Sequence, residues 1–237
     1  MSTIIHPPVT MHHYAIIVAG GTGSRMQLAL PKQFIELCGK PVLMHTIGAF
    51  VNSVSSPQII LVLHADYHQM WKELCNVHNF KTKHQLIAGG ETRFHSVKNA
   101  VDLIYDNNVL IAVHDAVRPL VSETIIDQSF RLAATSGTAI TAVKSRDSIR
   151  QQNGSVSNCL DRENIYLVQT PQTFQSGILK EAYKQAYNPS FTDDASVVEQ
   201  AGIQITLTEG SYSNIKITFP DDVTIAEALL NKKSHQQ

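Results

Sequence analysis

The feature that most constrains this chain is the alternation of short apolar runs with longer amphipathic stretches. Apolar runs bounded by turn residues occur at Tyr14–Ala19, Gln58–Leu63, Gln85–Ala88, Leu110–His114, Ala139–Val143 and Gln204–Thr208, as expected of strands buried on both faces. Pro41–Asn52, Tyr67–His78, Arg93–Tyr105, Glu123–Ser136, Gln175–Tyr187, Asp193–Gly202 and Asp221–Asn231 carry apolar residues at helical spacing. This order predicts an α/β fold, a single Rossmann-like domain with a mostly parallel sheet and helices on both faces. Ligands of such sheets collect at the carboxyl ends of the strands, so the loops there are expected to hold the chemistry.

A length of 237 residues is enough for one large domain of this kind. Residues 1–13, with Pro7 and Pro8 ahead of Met11, read as a loose extension before a domain spanning 14–237, and Met11 is an alternative start. The segment from Lys144 to Gln169 breaks the alternation: it is polar, has Asn153-Gly154 as a turn signal, and carries β-prone pieces on either side. It predicts a protruding β-hairpin arm at about 144–169. An arm with so little core of its own is expected to pack against a second copy, making a homodimer.

The 19 Lys and Arg nearly balance 20 Asp and Glu, so no global field draws the chain to nucleic acid or a membrane surface, and any anion site must be local. Cys38, Cys75 and Cys159 are few and widely spaced, which suits structural thiols in a reducing cytoplasm. No apolar run approaches the roughly 20 residues of a membrane span, and residues 1–13 lack the apolar stretch of a signal peptide, so a soluble, unexported protein is expected. His64 and His68 have the i, i+4 spacing of metal ligands without the glutamate of H-E-x-x-H, and read as surface residues.

After the first predicted strand comes Ala19-Gly20-Gly21-Thr22-Gly23-Ser24-Arg25-Met26, then Leu30-Pro31-Lys32-Gln33. Glycines let backbone N–H groups approach a phosphate, and two cations follow at a fixed distance. The dinucleotide pattern G-x-G-x-x-G fails at Met26, and no Gly-Lys-Ser/Thr follows to make a Walker loop. What remains suits a nucleoside triphosphate whose leaving pyrophosphate needs charge neutralisation by Arg25 and Lys32. The competing reading is a strand-to-helix turn with solvated charges.

At this point the chain resembles the 2-C-methyl-D-erythritol 4-phosphate cytidylyltransferase family of the sugar nucleotidyltransferase superfamily, from Tyr14 to Leu230. The resemblance is carried by Ala19–Met26, Pro31-Lys32-Gln33, Gly89-Gly90-Glu91-Thr92-Arg93 with Ser96, and His114-Asp115-Ala116-Val117-Arg118-Pro119. It continues through Asp161-Arg162, Thr170-Pro171-Gln172, Thr192-Asp193-Asp194-Ala195 and Asn214-Ile215-Lys216. It implies a CTP- and magnesium-dependent transferase acting on methylerythritol phosphate. Arg25, Lys32 and Lys216 become the catalytic cations, and Asp115, at the end of a buried strand, becomes the magnesium ligand. Ala19, Gly20, Gly21, Gly23, Gly90, Ser96 and Ala116 fall at nucleotide-binding positions. Arg118, Ser148, Arg162 and Thr170 fall at substrate-binding positions, with Ser148 and Arg162 reaching across a dimer interface. His114 is expected to pack rather than act as a base, because an ionised phosphate needs none. Three positions depart from the usual residues: Glu91 and Ser213, where aspartate is expected in the family or some of its relatives, and Ser148, where threonine is.

The nearest alternatives are a ribitol 5-phosphate cytidylyltransferase, which shares the glycine loop, and a catalytically silent nucleotide-binding protein on the same fold. Arg25, Lys32, Asp115 and Lys216 argue against the second.

Overall fold

A computed structural model describes residues 11–19 and 30–234. The chain opens with β1 (His12–Ala19), β2 (Glu36–Leu37), β3 (Lys40–Pro41), α1 (Val42–Asn52), β4 (Gln58–Leu63), α2 (His68–Val77), β5 (Gln85–Ala88), α3 (Arg93–Val101) and β6 (Val109–Asp115). It continues through α4 (Glu123–Ser136), β7 (Thr138–Lys144), β8 (Ile149–Asn153), β9 (Val156–Leu160), β10 (Tyr166–Gln175), α5 (Ser176–Ala182), α6 (Asp194–Gln200), β11 (Leu207–Glu209) and α7 (Pro220–Ser234).

Seven strands form one sheet in the order β11-β7-β10-β6-β1-β4-β5. β5, β4, β1 and β6 pair in parallel, as do β11 and β7, whereas β10 runs antiparallel to both β6 and β7. The mostly parallel sheet is therefore as expected, with β10 as an insertion that apolar periodicity did not predict. Pro171 lies inside β10, and the ladder to β7 shifts register between Val168 and Gln172, which lets a residue without an N–H sit mid-strand.

Alternation along the strands explains why both faces carry helices. In β1, Ala15, Ile17 and Ala19 join the core under α1, α2 and α4, while Ile16 and Val18 join the one under α3, α5 and α6. In β4, Leu61 and Leu63 take the first face and Ile60 and Val62 the second. Each buried Val, Leu or Ile among these stabilises the fold by about 1.5–3 kcal/mol.

β4, β5 and α4 keep their expected bounds. α4 starts at Ser122, whose side chain accepts from Ile125 N, and stops at Gly137 in the left-handed region (φ 85°). α3 ends at Val101 rather than Tyr105, because the chain tightens into Leu103 N–Ala100 O and Ile104 N–Val101 O turns. α5 is also shorter than the expected Gln175–Tyr187, since Gln175 completes β10 and the chain after Ala182 tightens into Lys184 N–Glu181 O and Gln185 N–Ala182 O turns. The last strand, β11, starts three residues later than the apolar run suggested and ends one later. β8 and β9 form the expected hairpin, separate from the main sheet, with Gly154 (φ 60°) in its two-residue turn. The protruding part is narrower than 144–169, because from Tyr166 the chain is already paired with β7.

Candidate active site

Asp115 ends β6, a strand buried along its whole length, and so brings a carboxylate to the carboxyl edge of the sheet beside the end of β1. The turn that follows is pinned from both sides: Ala116 N donates to Val18 O at 3.0 Å and Thr46 Oγ1 donates to Ala116 O at 2.7 Å. Among the described residues, three cations stand around the carboxylate. Lys216 Nζ is 3.0 Å and Arg118 Nε 3.2 Å from Asp115 Oδ2, and Arg93 Nε is 3.8 Å from Oδ1. Burial disfavours the charge on Asp115, but Lys216, Arg93 and Arg118 outweigh it and hold the carboxyl well below the usual carboxylate range.

Below Asp115 a buried polar chain fixes its backbone. Asp115 N donates to Thr170 Oγ1 at 3.1 Å, Thr170 Oγ1 is 3.0 Å from His114 Nδ1, and His114 Nε2 is 3.3 Å from Arg118 O. A carbonyl can only accept, so Nε2 carries the imidazole proton, Nδ1 accepts, and the threonine hydroxyl donates to it. His114 has no exposed surface and stands edge-on to Phe50 with ring centroids 4.9 Å apart. Burial holds its pKa down to about 3, so the ring is neutral. This is the packing role expected of it, with a hydrogen-bonding duty added.

Two cavities meet at these charges. The larger, about 330 Å³, is lined by Val18 and Ala19 from β1, Lys32 and Gln33, Glu91, Thr92 and Arg93 at the start of α3, and Asp115, Val117 and Lys216. The smaller, about 240 Å³, is lined by Arg118, Val168, Gln169, Thr170, Gln172, Thr192 and Asp193. Arg93, Asp115 and Lys216 belong to both and form the wall between them. Such a pair of spaces, joined through cations, can hold two anions side by side.

Of the residues expected at the site, Ala19, Lys32, Asp115 and Lys216 line the larger cavity, and Arg118 and Thr170 line the smaller. Gly20, Gly21, Gly23 and Arg25 lie outside the described residues. Gly90 and Ser96 line neither cavity, although Glu91, Thr92 and Arg93 between them line the larger one. Gly90 N donates to Ser96 Oγ at 3.0 Å, and a Cβ on Gly90 would come within 2.5 Å of His95 Cβ. Ala116 is fully buried with both backbone groups engaged, and lines neither cavity; it fixes the turn between Asp115 and Val117, which do line the larger one. Lys216 reaches the site from a loop rather than from a strand edge, held where Ile217 N donates to Val117 O at 2.9 Å. Ser148 and Arg162 are exposed at the base of the hairpin and line neither cavity; Arg162 Nη1 donates to Arg146 O. His64 caps a turn by accepting from Asp66 N, and the His68 ring lies 3.0 Å from Leu63 O.

Sequence reasoning gave no role to Arg93, Gln172 or Asp194. Arg93 makes a paired contact with Asp194, Nη1 to Oδ1 at 3.0 Å and Nη2 to Oδ2 at 2.6 Å. Gln172 donates to Asp193 Oδ2 and accepts from Ala195 N, both at 2.8 Å, fixing the start of α6 beside the smaller cavity. The adjacent Asp193-Asp194 ahead of an amphipathic stretch was a legible helix-start signal; Asp193 indeed caps α6, accepting from Ser196 N. Nothing local distinguished its neighbour as the partner of an arginine in α3.

The profile of the IspD: 2-C-methyl-D-erythritol 4-phosphate cytidylyltransferase family matches residues 13–232. Enzymes of that name from Bacteroides fragilis and Azobacteroides pseudotrichonymphae are 47% and 48% identical, over 91% and 92% of this chain and 98% of each relative. Among solved structures, the 4-diphosphocytidyl-2C-methyl-D-erythritol synthase of Anaerococcus prevotii superposes with a TM-score of 0.79 at 27% identity, covering 93% of this chain and 96% of that one. The Francisella tularensis 2-C-methyl-D-erythritol 4-phosphate cytidylyltransferase does so with a TM-score of 0.74 at 32% identity, covering 91% and 98%.

Proposed function

This chain belongs to the 2-C-methyl-D-erythritol 4-phosphate cytidylyltransferase family, and on that premise we propose that the larger cavity takes CTP and the smaller one the acceptor phosphate. The reaction is transfer of CMP from CTP to 2-C-methyl-D-erythritol 4-phosphate, giving 4-diphosphocytidyl-2-C-methyl-D-erythritol and pyrophosphate in non-mevalonate isoprenoid synthesis. The observation that carries the division of roles is the shared wall of Arg93, Asp115 and Lys216, where two phosphates would have to meet.

An oxygen of the acceptor phosphate attacks the α-phosphorus in line, and the bond to the β-phosphate oxygen breaks as pyrophosphate leaves. Both reactants are anions, so catalysis is chiefly positioning and charge neutralisation. Lys216 lies at the junction and neutralises charge on the α-phosphate; Lys32 in the larger cavity, with Arg25 on the glycine loop, neutralises the leaving pyrophosphate. Arg118 and Thr170 border the acceptor phosphate. No group has to abstract a proton, in keeping with a neutral, buried His114.

Magnesium fits in one way. Among the described residues no cluster of three His, Cys, Asp or Glu side chains can hold a metal ion alone. Asp115 is a carboxylate at the junction of the cavities, which suits an ion held mainly by phosphate oxygens with one protein ligand. When bound, magnesium supplies further neutralisation of phosphate charge.

The hairpin arm is read as the dimer contact. Val156 on β9 and Tyr166, Leu167 and Val168 at its return to the sheet are exposed apolar residues, and Ser148 and Arg162 lie away from Asp115 on the same arm. A second copy would give the first four cover and the last two a substrate. A cytoplasmic location is supported by three free cysteines and by the lack, among the described residues, of a helix long and apolar enough to cross a membrane.

The deciding experiment incubates the purified chain with CTP, magnesium and either 2-C-methyl-D-erythritol 4-phosphate or ribitol 5-phosphate, and measures pyrophosphate. Release with the first acceptor is expected. Release with ribitol 5-phosphate alone, or CTP binding without release, overturns the reading. Turnover unchanged by EDTA removes the magnesium from it.

A further inference from the structure

Arg93 is the first residue of α3, and its guanidinium is the hub of a network that the substrate contacts do not require. The carboxylate of Asp194, at the start of α6 and with no exposed surface, accepts from both Nη atoms of Arg93 and also from Tyr183 Oη at 2.6 Å. The Tyr183 ring stacks on Phe94, the next residue of α3, with centroids 4.8 Å apart. Arg93 is thus gripped by an anion whose own position is set by a buried phenol and by the helix that carries the arginine. Both of its Nη atoms are tied to Asp194, and its Nε lies 3.8 Å from Asp115 Oδ1. The other oxygen of Asp115 is taken by Lys216 and Arg118.

These contacts differ in permanence. Lys216 is 39% exposed at its side chain and must turn toward phosphate in the reaction, so its contact with Asp115 is the one that substrate displaces. We propose that Arg93, anchored by Asp194, is a positioning residue that keeps the Asp115 carboxylate at the junction of the two cavities while Lys216 exchanges that carboxylate for phosphate. The inference rests on the assignment of the cavities made above. A buried ion pair contributes little net stability compared with apolar side chains of the same size, so the role falls on orientation. A fork fixed at both Nη atoms permits little rotation of the plane, and the Nε–H keeps its direction when Lys216 departs.

The test compares Arg93→Gln, Arg93→Lys and Asp194→Asn with the parent, using circular dichroism for folding and pyrophosphate release for kcat and for the KM of CTP. Misplacing a reacting group by about 1 Å costs roughly 100-fold, so Arg93→Gln is expected to lose about that much kcat with the KM of CTP changed less than about threefold. Arg93→Lys, which keeps the charge without the fork, should regain roughly tenfold of the loss. Should Arg93→Gln not fold, Asp194→Asn keeps the arginine and the shape while loosening its anchor, and a drop of about tenfold in kcat is expected. Parent-like kcat in the folded variants, a loss carried by KM alone, or no recovery in Arg93→Lys overturns the proposal. Lys216→Ala is the reference for the premise. Parent-like turnover there sinks the cavity assignment, whereas loss there with parent-like turnover in Arg93→Gln sinks only the role of Arg93.

Discussion

At the scale of single residues, one carboxylate decides how the site is arranged. Asp115 is almost buried, which alone would favour its neutral form, and it stays ionised because Lys216, Arg93 and Arg118 surround it. Lys216 and Lys32 both line the larger cavity, and under the proposed function each faces a different part of the triphosphate. Lys32→Ala and Lys216→Ala should each fold, as judged by circular dichroism, with some loss of melting temperature in Lys216→Ala because Asp115 loses a partner, and each should lose roughly 10²- to 10³-fold in kcat, measured by pyrophosphate release. A rate near the parent's in either variant removes that lysine from the mechanism. Gly90 makes a different prediction, because here the missing side chain matters. A methyl group would meet His95 Cβ at 2.5 Å and the His95 carbonyl carbon at 2.9 Å, and backbone cannot rotate aside. Gly90→Ala should destabilise by about 1–3 kcal/mol in urea titration, and should raise the KM of CTP because the loop borders the larger cavity.

At the scale of elements, the site is assembled by ends: the carboxyl ends of β1 and β6, the first residues of α3 and α6, and the loop that carries Lys216. Each end has a polar device that holds it, such as Thr92 accepting from His95 N before α3 and Asp193 accepting from Ser196 N before α6. The arm formed by β8 and β9 is laced internally, with Arg150 donating to Ser157 across the hairpin, but its residues are nearly all exposed. Sedimentation of the parent at assay concentration should give a dimer. Val156→Asp should shift it toward monomer and raise the KM of methylerythritol phosphate at least several-fold, because desolvating a new charge in a contact is costly. A fully active monomer would show that Ser148 and Arg162 do not serve a neighbouring subunit.

At the scale of the whole molecule, acid should weaken the fold through two groups that act in the same direction. His114 has an ordinary value near 6.5 and is held down to about 3 when folded, so the unfolded chain binds its proton first. Stability from this group is complete above about pH 6.5 and falls as the pH drops toward 3, by at most about 1.4 kcal/mol per pH unit. Asp115, also lowered on folding, adds its loss below its ordinary carboxylate range of about pH 3.9. The urea midpoint should therefore decline between about pH 6.5 and pH 4.5, and less steeply in His114→Gln, whose amide can replace both hydrogen bonds without titrating. Equal slopes in parent and variant would exclude His114 as the source.

Much of the architecture was legible in the sequence because a strand buried on both faces must be apolar throughout and a helix on a sheet must be apolar on one side. Those requirements are local, and β4, β5 and α4 carry them to their end residues. β10 escaped because Pro171 contradicts a central strand everywhere except at a register shift, and a register shift exists only between paired strands. The motifs likewise pointed to Lys32, Asp115, Arg118 and Lys216 as one site, whereas the partnership of Arg93 with Asp194, 101 residues apart, had no local mark. Periodicity records which face of an element avoids water, so the sequence by itself determined the layers and the edge where chemistry belongs. Which charges meet at that edge depends on the order of the strands and on the turns between them, and only the tertiary structure decided it.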